Sequence, residues 1–482
     1  MQSHQFYSKE VRDPLYGYIY LTPLEVKLID TEPFQRLDRL LQNPSARFVY
    51  PNATHTRKAH SLGVMHLAGI LIKKLLMRQY KDIREQFPNL LAEPIVIKYT
   101  ERDEYIEEKI LKPLIKIDLD WWDSNIKQDP AFIIEAIRIA ALMHDLGHGP
   151  FSHIFEEAVR KSNVNKEFRH EIVSIRILSF IDEYIKPNDK LNEKEKEIVD
   201  TAINILKDEP SSFIHSLLDS PLDIDKLDYL NRDAYHAGPL ELGMIDFERV
   251  LDGLRIGIEK DKDKLLFTQS TKGALARTFK AIQDMYSNVY YHKTSRAVDL
   301  QLFEILTKNA EMLESMIQDE KKYIAYWDDI LLLQIKNNGK EDSRKLAEDL
   351  LSRRMKYKAK SEKNIPLGLT FKYAKKELEE IKNEIENKFS SVDAKVDYFS
   401  VSPVRLDVAN FLNWIDSRIF LTSNGRSVKL EELDPVLYRE LLNFGVLIRL
   451  YVDREKYSSE ASEEAKNEFN REIDEIIKIA SK

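Results

Sequence analysis

The tightest constraint on this chain is the stretch AFIIEAIRIAALM (131–143), which runs straight into HDLGHGPFSH (144–153). It is apolar on nearly every side, so as a helix it has to be enclosed by other helices rather than lie on a surface. LGVMHLAGILIKKLL (62–76) has the same character. Two such helices demand a bundle around them, and 482 residues, 43% hydrophobic and 32% charged, suffice to build one. Glycine supplies only 14 residues, a shortage that favours helices with short connections over sheets. The expected fold is mainly α.

The absence of cysteine removes disulfides, thiolate metal sites and thiol nucleophiles together, leaving His, Asp and Glu as ligands for a hard or borderline metal. Ten of the eleven histidines lie between His55 and His292, so the titratable chemistry belongs to the first two thirds. The formal charge is −8 and no Lys/Arg stripe dominates, which disfavours wrapping of DNA by phosphate neutralisation but leaves a small anionic substrate open. No apolar run is expected to span a membrane, and the start MQSHQFYSKE has no apolar leader core, so the expected compartment is the cytoplasm.

If the helix continues through HDLGHGPFSH, His144 and His148 stand at i and i+4 on one face, with Asp145 leaning toward the same point. Gly147, Gly149 and Pro150 then turn the chain and bring Ser152 and His153 back over the same pocket. An apolar helix that delivers an aspartate into the interior leaves a carboxylate that needs a cation. His60 in THTRKAHSLG and Asp225 in DIDKLDYLNRD complete a set of four ligands: His60, His144, Asp145 and Asp225.

In this order DPLYGYIYL, IDTEPFQRL, HTRKAHSLGV, HDLGHGPFSH, HEIVS, DIDKLDYLNRD and YYHK make the chain resemble, over about residues 10–300, the HD-domain deoxynucleoside triphosphate triphosphohydrolases. The similarity is to the catalytic core of the sterile-alpha-motif HD type, without that motif. It implies an HD helical bundle, expected over 1–330. Within it about 79–130, with charge runs, PIVIKYT and Trp121–Trp122, reads as an insertion between the core helices, and 331–482 reads as a smaller mixed α/β lobe, expected to serve oligomerisation or regulation. In that lobe 372–389 reads as an amphipathic helix, and 396–430 as a few strands with a turn at Asn424 and Gly425.

The resemblance also implies roles. The same four residues bind a divalent metal (Fe, Mn, Zn, Ni or Mg), with Mg also accompanying the triphosphate. His148, His153, His170 and Glu171 are the acid/base and orienting groups. A triphosphate needs basic neighbours, and Arg57 and Lys226, tied to ligand positions, are expected to contact it. Tyr229, Asp233 and Tyr290 surround the sugar, with Tyr290 excluding a 2′-hydroxyl, and Gln42 lies near base and sugar. Asp30, Gln35 and Arg36 match part of a site for a nucleotide activator between subunits of a homo-oligomer, a dimer or tetramer. There are departures: Tyr291, Tyr286 and Ile282 replace a Gln, a His and an Arg near phosphate and base, and Asp38 replaces a regulatory Arg. Arg353 and Arg354 read as a solvated helix end.

The expected function is metal-dependent hydrolysis of a dNTP to deoxynucleoside and inorganic triphosphate. Two alternatives stay open: an HD phosphohydrolase of a monophosphate or cyclic nucleotide, and a nucleotide-sensing or nucleic-acid-binding protein with a vestigial site.

Overall fold

The computed structural model describes residues 8–79, 130–207, 214–259, 262–365, 371–401, 408–417, 419–423, 426–442 and 445–480. The expected insertion lies outside these residues but for its ends, as does the turn at Asn424 and Gly425.

A hairpin, β1 (Lys9–Asp13) and β2 (Gly17–Leu21), comes first, its turn closed by Gly17 at φ 75°. Asp13 stays inside the hairpin and accepts the amides of Leu15 and Tyr16, which aims Tyr16 inward. Helix α1 (Pro23–Ile29) starts on a reciprocal cap: Thr22 Oγ1 accepts the Glu25 amide and Glu25 accepts that of Thr22. The buried Glu25 also pairs with Arg138, which fastens α1 to the central helices.

Those central helices are α2 (Arg57–Gln79) and α3 (Pro130–Met143), and the two pack on each other. Nearly every side chain of α3 is buried, as its all-round apolar sequence predicts. Each fully buried Leu or Ile is worth about 1.5–3 kcal/mol of transfer free energy, so this pair anchors the bundle. Part of α2 (57–76, mean hydropathy 1.2) is long and apolar enough to cross a membrane, contrary to the expectation that no run would be. It is 89% buried within the protein, as a core helix is.

Around this pair pack α4 (His153–Lys161), α5 (His170–Ser179), α6 (Glu193–Leu206), α7 (Ile224–Ala237) and α8 (Lys272–Met285). Helix α7 begins where Asp223 accepts the Lys226 amide and ends at Gly238, φ 103°. A single π-helical turn, Tyr286–Tyr290, follows α8.

Buried residues on both sides of position 330 join one core, because the helices Asp328–Asn338 and Glu341–Leu351 pack into the bundle. A four-stranded sheet, β3 (Leu254–Glu259), β4 (Lys262–Thr268), β7 (Phe420–Leu421) and β8 (Ser427–Val428), joins segments from both halves of the chain, with β4 and β7 parallel. The second core belongs to a three-stranded antiparallel sheet of β5 (Tyr357–Ile365), β6 (Lys395–Val401) and β9 (Gly445–Asp453). Strand β9 is central and buried almost throughout. Two amphipathic helices, Phe371–Lys388 and Glu460–Ala480, bury Leu378, Ile385, Phe469 and Ile473 in this second core. The fold is therefore mainly helical with small sheets.

Candidate active site

Helix α3 ends at Met143, so His144 and His148 do not share a helical face as expected. Residues 144–147 form a tight turn instead, closed by the Leu146 amide on Met143 and the His148 amide on Asp145. The cause is packing. A Cβ on Gly147 would stand 2.2 Å from the His170 carbonyl and 2.3 Å from the Ser174 amide, so the turn lies flush against α5. Ser174 seals this contact, accepting the Gly147 amide and donating to the His144 carbonyl, each at 2.7 Å.

The four expected ligands meet below this turn. Nε2 of His60 lies 2.8 Å from Asp225 Oδ1 and 3.7 Å from Asp145 Oδ2. Nε2 of His144 lies 3.4 Å from Asp145 Oδ1 and 3.8 Å from Asp225 Oδ1. The opposite ring nitrogens are spoken for: His60 Nδ1 meets Asp228 Oδ2, and His144 Nδ1 the Ala141 carbonyl, both at 2.8 Å. Each Nδ1 is therefore fixed as a donor, so Nε2 is where each ring holds either its second proton or a metal. Both Nε2 atoms are buried and make no hydrogen bond. His60, His144 and Asp145 bring one ligand atom each to within 4.8 Å of one another. Two unpartnered imidazole nitrogens facing the buried carboxylate of Asp145 and the half-buried one of Asp225 fit a divalent cation.

The electrostatics agree. Burial opposes a charge on His60, but Asp225 and Asp228 outweigh it and push its pKa up to about 10. Burial also works against ionised Asp145 and Asp225, yet His144 and Arg57 hold the first, and His144 and His60 the second, below the usual carboxylate range. The acids keep their charge and the pocket favours positive charge between them.

On one flank, His148 and His170 stack at 3.7 Å, and His153 meets both edge-on at 5.2 and 5.6 Å. Burial, with Arg57 and His170 nearby, holds His148 well below the usual imidazole range and therefore neutral. The carboxylate that links His153 and His170 is Glu156, which sequence reasoning missed: it lies 3.1 Å from His170 Nδ1 and 3.7 Å from His153 Nδ1. Its place one helical turn after His153 was the available signal. Glu171 lies 3.4 Å from His170 Nδ1, but its side chain is 60% exposed.

Arg57 is buried, paired with Asp145 and donating to Ser152 Oγ at 3.0 Å. Lys226 donates to Asp223 at 2.6 Å and to the Ser220 carbonyl at 2.9 Å. At the opposite end of the pocket, Asp233 is held by His55 Nε2 at 2.6 Å and by the Tyr290 hydroxyl at 2.5 Å. Tyr290 stands nearly at right angles to Tyr229, centroids 6.2 Å apart, while Tyr229 and Tyr286 share a hydroxyl contact of 3.4 Å. The departing residue Tyr286 thus completes an aromatic wall. The Gln42 amide donates to the His55 carbonyl at 3.1 Å, and its side-chain oxygen is buried without a partner. Of the residues matching a regulatory site, Asp30 and Gln35 are exposed but Arg36 faces inward.

A family model described as HD domain matches residues 124–232, the span that contains the His144–Asp145 turn and Asp225. That span carries the likeness to HD domains. The chain is 28% identical over 359 residues to the deoxynucleoside triphosphate triphosphohydrolase SAMHD1 homolog of Dictyostelium discoideum, covering 72% of this chain and 59% of that protein. It is 31% identical over 305 residues to the HD domain-containing protein L394 of Acanthamoeba polyphaga mimivirus, 62% of this chain and 58% of that one. With deoxynucleoside triphosphate triphosphohydrolase SAMHD1 of Homo sapiens it shares 26% over 347 residues, 67% of this chain and 48% of the other. The chain thus spans about half to three fifths of these relatives' lengths. The HD-domain match and the donor set together support a site that can hold a divalent metal.

Proposed function

We propose that this protein hydrolyses deoxynucleoside triphosphates to deoxynucleoside and inorganic triphosphate. The observation that carries the reading is the face of helix α7. Asp225, Tyr229 and Asp233 follow one another at four-residue steps, so one face reaches from the candidate metal cluster to the candidate sugar wall. Eight residues of helix span about 12 Å, a length suited to an α-phosphate at one end and a deoxyribose at the other. The start of α2 and the segment before it run alongside, with His60 against Asp225 and His55 against Asp233.

In this reading His60, His144, Asp145 and Asp225 hold the metal, which when bound supplies Lewis acidity at the α-phosphate. Neutral His148, and His153 and His170 poised by Glu156, handle protons on the flank where the sugar oxygen leaves. Asp233 accepts the 3′-hydroxyl, and Tyr290, fixed through its hydroxyl, fills the volume a 2′-hydroxyl would need. Glu171 orients His170 from the rim, Tyr229 and Gln42 border sugar and base, and Arg57 and Lys226 share donors with the phosphates. A homo-oligomer, a nucleotide activator and a cytoplasmic setting belong to the same proposal.

One observation favours a second reading. Arg57 and Lys226 are already engaged by Asp145 and Asp223, which suits a nucleotide of lower phosphate charge. Matched dATP/ATP and dGTP/GTP incubations, with dAMP and dGMP beside them, across Mn, Fe, Mg, Zn and Ni, with products identified by mass spectrometry, separate the two. Intact triphosphate from the deoxynucleotides is expected, and orthophosphate, or turnover of monophosphates alone, would replace the first reading with the second. Tyr290→Ala is expected to admit the ribonucleotide and close a gap of about 1–3 kcal/mol, roughly tenfold to a hundredfold in kcat/KM. Equal hydrolysis of both sugars by the wild type would defeat the deoxyribose claim.

A further inference from the structure

The loop between the HD turn and α4 has a backbone that its own sequence does not account for. Phe151 (φ 62°) and Ser152 (φ 55°, ψ −123°) are non-glycine residues in left-handed territory. Such conformations cost free energy and persist only where the surroundings over-determine them.

Three side chains from distant parts of the chain do so. Tyr323, fully buried in the short helix Glu320–Ile324, donates its hydroxyl to the Gly147 carbonyl at 2.7 Å. Arg36, also buried, donates Nη2 to the His148 carbonyl at 2.7 Å and Nε to the Tyr326 carbonyl at 2.8 Å. Its guanidinium lies over the Tyr323 ring at 5.0 Å, so the two donors brace each other. Asp328, 2% exposed, accepts the Phe151 amide at 2.7 Å with one oxygen and the Leu41 amide at 2.9 Å with the other.

Both ends of the loop reach the candidate cluster: His148 Nε2 lies 3.2 Å from Asp145, and Ser152 shares Arg57 with it. Through Leu41, Asp328 also ties this loop to the opposite wall, where Gln42 pairs with His55.

We propose that Arg36, Tyr323 and Asp328 are positioning residues that clamp the loop 147–152, so that His148 is held against Asp145 and His153 against the His148–His170 stack in one fixed arrangement. The functional part rests on the reading of His148 and His153 given above, whereas the clamp is a property of the loop and can be measured without turnover.

The test is hydrogen–deuterium exchange by mass spectrometry on the full-length metal-loaded protein carrying Tyr323→Phe or Asp328→Asn, paired with steady-state kinetics and metal content. Tyr323→Phe keeps the ring under Arg36 and removes only the hydroxyl, while an asparagine at 328 has one acceptor for two amides. Exchange is expected to rise about tenfold at 147–152 in Tyr323→Phe, and at both 40–42 and 147–152 in Asp328→Asn, with metal content unchanged. On any nucleotide that the wild type hydrolyses, kcat should fall about tenfold or more with KM within about twofold. Unaltered exchange in both variants overturns the clamp whatever the activity, and faster exchange with undiminished kcat overturns the positioning role. A wild type inactive on every nucleotide, with the expected exchange, sinks the functional reading and supports the clamp. If Tyr323→Phe fails to fold, Asp328→Asn reads the same loop.

Discussion

Asp228 is one carboxylate with three partners: His60 Nδ1 at 2.8 Å, the Tyr16 hydroxyl at 2.8 Å and the Arg232 guanidinium at 2.9 Å. It sets the tautomer of His60, and loss of such a support costs metal sites about 10–100-fold in affinity. Asp228→Asn is expected to show that loss in a metal titration while circular dichroism stays unchanged. Asp145→Ala, which deletes a candidate ligand rather than its support, is expected to abolish turnover and strip the metal from a still helical protein; full occupancy with an unchanged rate would sink the assignment. Neighbouring His66 behaves differently. Burial, with Arg138 close by, depresses its pKa to about 3 against an ordinary 6.5. A group that binds its proton more weakly when folded contributes stability present above pH 6.5 and lost as pH falls toward 3, at about 1.4 kcal/mol per unit of separation and less where solvent reaches the ring. Urea midpoints at pH 7, 5 and 4 should therefore fall less steeply in His66→Gln than in the wild type, and parallel curves would contradict the shift.

At the scale of elements, the HD turn depends on how closely α5 approaches it. Gly147→Ala puts a methyl against backbone on both sides, and it is expected to cost about 1–3 kcal/mol and several degrees in Tm, with a matching loss of activity as Ser174 is pushed away. The sequence announced Gly147 as a helix terminator but gave no sign of its contact with Ser174, because that contact joins residues far apart in the chain. The same distinction separates what was legible from what was not. The buried helices could be read from their apolar runs, and the proximity of His60, His144, Asp145 and Asp225 was expected from residue type and family resemblance together. Asp228 and Glu156 lay one turn from named residues and were within reach of helical spacing. Tyr323 and Asp328, whose partners are 176 and 177 residues away, carry no local signature at all.

Across the whole molecule, the second sheet reaches the segment that follows the aromatic wall. Arg449 on β9 donates to the Tyr291 carbonyl, Tyr451 donates to the Lys293 carbonyl at 3.1 Å, and Phe399 on β6 lies over Tyr291 at 3.8 Å. These contacts grip the residues just after Tyr290. Arg449→Ala is accordingly expected to loosen sugar discrimination and raise KM while sparing metal content, as dATP/ATP ratios and elemental analysis would report. Strand β9 also stands between β5 and β6 although it is the last of the three in sequence. During synthesis, β5 and β6 therefore leave the ribosome with no common neighbour, and their edges wait for residues 445–453 before the sheet can close. The carbonyls of Tyr291 and Lys293 wait with them. The candidate ligands, of which Asp225 is the last in sequence, have left the ribosome long before the residues after Tyr290 are secured, so on the proposed reading a nascent chain would have its ion-binding side chains before its means of choosing between sugars.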